Sequence, residues 1–145
     1  MRPRPLSVAV AAAFGLASLA GAAAAADVVV DISGVRSASG PLYVSLQTEA
    51  QFLQNEGTAG TIVQKPGVGA VSVVLPGVAP GDYSISVWHD VDGDGVFDRN
   101  ESGRPLDGWS MLNAGELRGA PSFESVKFTV TDKGAKLKLQ MIYAD

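Results

Sequence analysis

The sequence predicts an all-β fold in which about seven short strands form two sheets packed face to face. Six segments alternate apolar and polar residues with a period of two, which places one side of each strand against a core. Turns rich in glycine and proline separate these segments, as in Ser39-Gly40-Pro41 and Ala79-Pro80-Gly81-Asp82. No internal repeat or linker divides the chain after residue 26, so we expect one domain.

Within each predicted strand, the apolar residues occupy every second position. In order they are Val28, Val30, Ile32, then Leu42, Val44, Leu46, then Val71, Val73, Leu75, then Tyr83, Ile85, Val87, then Val126, Phe128, Val130, and last Leu137, Leu139, Met141. Residues 49–55 predict one helical turn, with Phe52 and Leu53 covering the core. Residues 106–120 have no clean period and predict a long connection.

The first 26 residues have the pattern of a secretory signal peptide. Arg2 and Arg4 precede an apolar, alanine-rich run, which closes in three small residues at Ala24–Ala26 that suit a signal peptidase. The alternative is an uncleaved anchor, but alanine is weakly apolar for a helix that needs about 20 apolar residues to span a membrane. We expect cleavage after Ala26, a domain at residues 27–145, a periplasmic or secreted location and no transmembrane span in the mature chain.

Composition excludes several classes of partner and site. All 15 acidic residues follow residue 26 and two of the 11 basic residues precede it, so residues 27–145 carry a formal charge of −6. Nucleic acid is therefore excluded as a partner, because phosphate contacts need clustered lysine and arginine. With no cysteine and one histidine, the chain has no disulfide and no zinc site built from nitrogen and sulfur ligands.

Residues 90–101 match the spacing of a twelve-residue calcium loop. Calcium takes six to eight oxygen ligands at about 2.3–2.6 Å, and alternating acids on a tight loop converge on such an ion. Glycine at the sixth position allows the sharp turn. The alternative is an acidic turn without an ion, because Asp-Gly is a common turn sequence and no helix follows the loop. The predicted ligands are Asp90, Asp92, Asp94, the carbonyl of Val96, Asp98 and Glu101.

Several short motifs follow in a fixed order: Gly81-Asp82-Tyr83, residues 89–98 (HDVDGDGVFD), Gly103-x-Pro105 and residues 121–124 (PSFE). In this order they resemble a bacterial exported family catalogued as domain of unknown function 2141. The resemblance covers essentially all of residues 27–145 and implies an immunoglobulin-like or transthyretin-like sandwich with no established activity. Family members tend to have asparagine at the positions of Asp92 and Asp94 and usually lack an acid at Glu101, so this chain is the more acidic.

Three functions remain open on the sequence, with the partner unidentified. The leading one is a non-enzymatic binding or structural module, stabilised by calcium at residues 90–101 and without catalytic residues. A binder of surface carbohydrate or of a peptide or protein would use Trp88 and Trp109, unless both tryptophans only cover the core edge. A small hydrolase would use His89 as a general base beside carboxylates, although no serine or cysteine elbow accompanies it.

Overall fold

A computed structural model describes residues 23–145, and residues 1–22 of the predicted signal peptide lie outside it. The described chain is all-β, with eight strands in two sheets. In chain order the strands are β1 (Ala26–Val35), β2 (Leu42–Gln47), β3 (Ala59–Val63), β4 (Gly69–Val78), β5 (Gly81–His89), β6 (Gly108–Met111), β7 (Phe128–Val130) and β8 (Ala135–Gln140). Within residues 23–145, no helix has the length and apolar character needed to cross a bilayer.

The two sheets differ in size and pairing. The first has the order β4-β1-β8, with β1 antiparallel to β4 and parallel to β8. The second has the order β3-β2-β5-β6, and β7 also pairs with β5. β5 pairs with β2 along one edge, while its other edge pairs with β7 near Gly81 and with β6 near His89. β5 is therefore held on both edges up to the residue where the candidate site begins.

The predicted alternation is confirmed as the source of the core. The inward residues of both sheets are almost fully buried, and β-branched and leucine side chains of this kind stabilise the fold by about 1.5–3 kcal/mol each when buried. They include Val28, Val30, Ile32, Leu42, Val44, Leu46, Val73, Leu75, Ile85, Val87, Leu137 and Leu139.

Several sequence predictions of local structure need correction. Eight strands form instead of about seven, because β3 and β6 also form in segments that the alternation did not identify. Residues 106–120 are therefore not one long connection, since β6 and a 3-10 turn at Ala114–Glu116 lie within them. The helical turn predicted at residues 49–55 is a shorter 3-10 turn at Glu49–Gln51, and Leu53 is exposed.

The alternation predicts a strand that begins at Val126, but the strand begins at Phe128. Val126 is the last residue of a short helix, α1 (Phe123–Val126), and β7 covers only the three residues after Lys127. Ser122 explains the helix, because its hydroxyl accepts a hydrogen bond from the Ser125 amide at 3.2 Å while the Ser125 hydroxyl accepts one from the Ser122 amide at 3.0 Å. Both Phe123 and Val126 are nevertheless buried.

The C-terminal residues connect the first sheet to the second. The Met141 amide donates to the Ser33 carbonyl of β1 at 2.9 Å, so this residue still belongs to the edge of the first sheet. Ile142 then exchanges two backbone hydrogen bonds with Trp109 of β6 at 2.8 and 2.9 Å. The chain thus crosses from one sheet to the other beside the end of β5.

The connection from β5 to β6, residues 90–107, is called the acidic loop below. Its first residue is held against the turn before β2, because the Asp90 amide donates to the Pro41 carbonyl at 3.0 Å. Gly40 lies in this turn with a φ of +72°, and a β-carbon at Gly40 would overlap the Asp90 carbonyl. The turn at Gly40 therefore sets where the acidic loop leaves the sheet.

Gly40→Ala should destabilise the protein more than Gly77→Ala. Gly77 has a similar φ of +67° but open space around it, so the two variants share the conformational cost of a left-handed alanine, about 1–2 kcal/mol. Gly40→Ala adds an overlap with backbone, which we expect to cost about 1–3 kcal/mol more. Urea unfolding of the two variants measures the difference, and equal losses would show that Gly40 does not fix the loop.

Candidate functional site

The path of the acidic loop is set by the buried carboxylate of Asp90. Asp90 is 1% exposed, and its two side-chain oxygens accept hydrogen bonds from the amides of Gly93 and Gly95, both at 2.9 Å. Both glycines have positive φ, which a residue with a side chain adopts at a cost. The backbone from Asp90 to Gly95 therefore curls around the Asp90 side chain.

Five aspartates of the acidic loop lie together in two groups. The ligand oxygens of Asp90, Asp92 and Asp107 lie within 4.8 Å of one another, and so do those of Asp92, Asp94 and Asp98. Asp92 belongs to both groups. Two Asx turns support the second group, since Asp92 accepts a hydrogen bond from the Asp94 amide at 3.2 Å and Asp94 accepts one from the Val96 amide at 2.8 Å.

Desolvation, together with the crowding of like charges, raises the pKa of two carboxyls in the acidic loop. For Asp92 the Asp94 amide lowers the pKa, but desolvation, hydrogen bonding with Asp90 and the charges of Asp94 and Asp98 together outweigh it. For Asp98 desolvation is the largest cause, followed by the charges of Asp94, Asp107 and Asp90. Carboxylates in such positions are stabilised by a counter-cation.

The structure brings together most of the predicted ligands and adds one. Asp90, Asp92, Asp94 and Asp98 all belong to the two groups, whereas Glu101 lies in neither and is exposed. The Val96 side chain is also exposed, and its amide donates to Asp94. Asp107 was not among the predicted ligands, because it lies at the other end of the acidic loop. It comes close to Asp90 because β5 pairs with β6, so that His89 and Gly108 lie opposite each other.

Asp107 also connects the acidic groups to Trp88. Asp107 is 5% exposed, and its Oδ2 accepts hydrogen bonds from the Trp88 indole nitrogen at 2.8 Å and from the Asp98 amide at 3.2 Å. The Trp88 ring stacks on Tyr43 with centroids 4.6 Å apart, and Phe97 of the acidic loop packs edge-to-face on it at 6.0 Å. Trp88 is thus held by the loop on one side and by β2 on the other.

The two candidate binding tryptophans are neighbours across β5 and β6 but line different surfaces. Trp88 and Trp109 are direct partners on the outer face of the second sheet, and each is half-buried. Trp88 lines a groove with Tyr43 and Ile62, whereas Trp109 lines a smaller cavity with Arg104 and Tyr143. The structure therefore does not bring them together as one flat, exposed pair.

His89 is enclosed on the core side of the sheet. Its side chain is 0% exposed, with Nε2 2.9 Å from the Ser39 carbonyl and Nδ1 2.7 Å from the Tyr143 hydroxyl. The carbonyl can only accept, so Nε2 donates to it and Nδ1 accepts from Tyr143. Burial is the largest influence on the Tyr143 hydroxyl and raises its pKa, which keeps the proton in this bond. Both ring nitrogens are therefore engaged, and neither faces solvent as a general base would.

Comparison with known families adds one match. The profile of the family described as uncharacterized protein conserved in bacteria (DUF2141) matches residues 30–138. The chain belongs to this family. Curated proteins and solved structures gave no match. The matched residues span the sheets from β1 into β8 and contain the whole acidic loop of this DUF2141 member.

Asp98→Asn should stabilise the protein at neutral pH in the absence of divalent cations. The raised pKa of Asp98 means that the folded state binds this proton more tightly than the unfolded chain, so the charged carboxylate opposes folding. The gain should shrink as the pH falls through the folded pKa and be lost below the ordinary value of 3.8. Thermal unfolding across pH in EGTA measures it, with Asp132→Asn in an exposed turn as a control that should change little. A lower midpoint for Asp98→Asn at pH 7 would contradict the claim that the charged carboxylate of Asp98 opposes folding.

Tyr143→Phe should destabilise the protein by about 1–3 kcal/mol, because it leaves the buried Nδ1 of His89 without a donor. Tyr43→Phe is the matched control, since the Tyr43 hydroxyl makes no hydrogen bond within residues 23–145 and its loss should cost less than about 0.5 kcal/mol. Urea unfolding compares the two. Equal effects would mean that the His89–Tyr143 bond does not stabilise the fold.

Proposed function

We propose that the chain is an exported, non-enzymatic binding or structural module whose acidic loop is stabilised by calcium. The observation that carries the proposal is the pair of carboxylate groups that share Asp92. Five aspartates supply the hard oxygen ligands that calcium prefers. Bound calcium would offset both the desolvation and the repulsion that raise the pKa of Asp92 and Asp98. In this proposal the ligands are Asp90, Asp92, Asp94, Asp98 and Asp107.

Calcium would act on the folded state by mass action. An ion that binds the folded loop and not the unfolded chain stabilises the protein in proportion to the logarithm of its concentration above Kd. Extracellular modules often bind calcium with a Kd on the order of 10⁻⁴–10⁻³ M, so the loop would respond to calcium outside the cytoplasm. The acidic loop contacts Trp88 through Asp107 and Phe97, and ordering it would fix the outer face of the second sheet.

The proposed module is exported and has an immunoglobulin-like or transthyretin-like fold. The basic start, the alanine-rich run and the small residues before Asp27 support secretion, and the absence of cysteine is compatible with an oxidising compartment. Two sheets of antiparallel strands with one parallel pair, β1 with β8, support an immunoglobulin-like or transthyretin-like sandwich. The enclosure of His89 supports a non-enzymatic role over the hydrolase.

Calcium should raise the melting temperature of the wild-type protein, and Asp92→Asn should abolish most of that rise. Asp92 belongs to both carboxylate groups, so its loss removes a ligand from each. We expect Asp92→Asn to be at least as stable as wild type in EGTA and less stable in millimolar calcium, which is a reversal of sign. The measurement is thermal unfolding in both buffers.

Glu101→Gln is the matched control for this experiment. It also removes one carboxylate from the acidic loop, but from a side chain outside both groups, so the calcium response should remain. Equal melting temperatures of the wild type in EGTA and in calcium would contradict the proposal. A calcium response that Glu101→Gln loses and Asp92→Asn keeps would contradict the ligand set.

A further inference from the structure

A groove of about 640 Å³ lies on the outer face of the second sheet, next to the acidic loop. Its floor is the row formed by Ile62, Tyr43 and Trp88, which are direct cross-strand partners on β3, β2 and β5. Gly95 of the acidic loop also lines it. The volume falls in the range of about 300–1,000 Å³ that is usual for small-ligand sites.

One wall of the groove is a loop held in place by a buried glutamine. The Gln47 side-chain amide donates to the carbonyls of Gln54 and Glu56 at 2.7 and 2.9 Å, and Gln47 is itself buried. This places Gln54 and Asn55 along the groove. The wall is therefore preorganised by the sheet beneath it, so a ligand would meet it with little cost of ordering.

The groove offers uncharged hydrogen-bonding groups beside apolar surface. Within the described part of the chain, none of its lining residues carries a charge, although the mature chain as a whole is acidic. Five of its polar side chains make no hydrogen bond to other groups of residues 23–145 and are free to bind a ligand. They are Ser45, Gln54, Asn55, Thr61 and Ser86.

The apolar part of the groove is aromatic and partly open to solvent, since Tyr43 and Trp88 are both half-buried. Tyr43 presents one face to Trp88, with an angle of 16° between the ring planes. On its other side the cross-strand partner of Tyr43 is Ile62 of β3, which is 50% exposed. A sugar ring, which has an apolar face and a rim of hydroxyls, matches an aromatic face beside free amides and hydroxyls.

We propose that this groove binds a neutral oligosaccharide. The ligand class follows from the uncharged lining, which offers no ion pair to an acidic sugar or to a charged peptide side chain. Tyr43 and Ile62 contact the sugar ring, and Gln54 and Asn55 bond its hydroxyls. The inference rests on the proposed function only in taking the protein to be a binding module. It does not require calcium.

The test is calorimetric titration of the protein with cellohexaose, maltohexaose, mannohexaose and chitohexaose, each in EGTA and in calcium. Ile62→Ala should weaken binding about fivefold or more through lost contact, equivalent to about 1 kcal/mol. Val74→Ala is the matched control, because Val74 is a β-branched residue that is 52% exposed on the outer face of the other sheet. Val74→Ala should leave the affinity unchanged.

A second variant guards against loss of folding. Gln54→Ala with Asn55→Ala changes two exposed side chains, so the melting temperature should hold while affinity falls about tenfold. Hexagalacturonate and an uncharged peptide library are the comparison ligands, and both should fail to bind. No binding of any neutral hexasaccharide, binding unaffected by either groove variant, or preferential binding of peptide or acidic sugar would each overturn the inference.

The outcomes for the groove and for calcium remain separate. If the protein binds a saccharide in EGTA and Ile62→Ala weakens that binding, the groove is supported, even when calcium does not change the melting temperature. A calcium-dependent melting temperature without saccharide binding overturns the groove and leaves the calcium proposal standing.

Discussion

The buried carboxylate of Asp90 is the constraint on which the rest of the site depends. Asp90 follows the last residue of β5, and its backbone amide donates a hydrogen bond to the Pro41 carbonyl. Its two carboxylate oxygens accept hydrogen bonds from the amides of Gly93 and Gly95, which closes the loop. A carboxylate that accepts backbone amides in a buried position is stabilised by charge-assisted hydrogen bonds. The same bonds, however, fix the next acids within reach of one another. The loop is therefore well defined in shape and unfavourable in charge, which is the basis of the calcium proposal.

The acidic loop and the outer face of the second sheet are linked through Asp107. This aspartate lies in a carboxylate group with Asp90 and Asp92 and also accepts the indole hydrogen of Trp88. Trp88 in turn stacks on Tyr43, at the floor of the groove. A change in the charge of Asp107 would therefore alter its hydrogen bond with Trp88, which stacks on Tyr43. The proposed cation site and the proposed saccharide groove are neighbours that share this contact.

Much of the fold could be predicted from the sequence because large apolar residues carry the alternation in β1, β2, β5 and β8. The same alternation correctly placed His89 on the buried face and Trp88 on the other. β3 and β6 were missed because they contain glycine, alanine and serine, which give little periodic signal. Their formation depends on pairing with β2 and β5, which is a tertiary effect.

The candidate site was predicted in part, for a similar reason. The spacing of Asp90, Asp92, Asp94 and Asp98 is local, so the motif identified residues that the structure does bring together. Asp107 depends on strand pairing far along the chain and has no local signal. Calorimetric titration of the wild-type protein with calcium at neutral pH tests the central claim most directly. Saturable heat that Asp92→Asn removes is the predicted result, and the absence of heat at millimolar calcium would contradict the account.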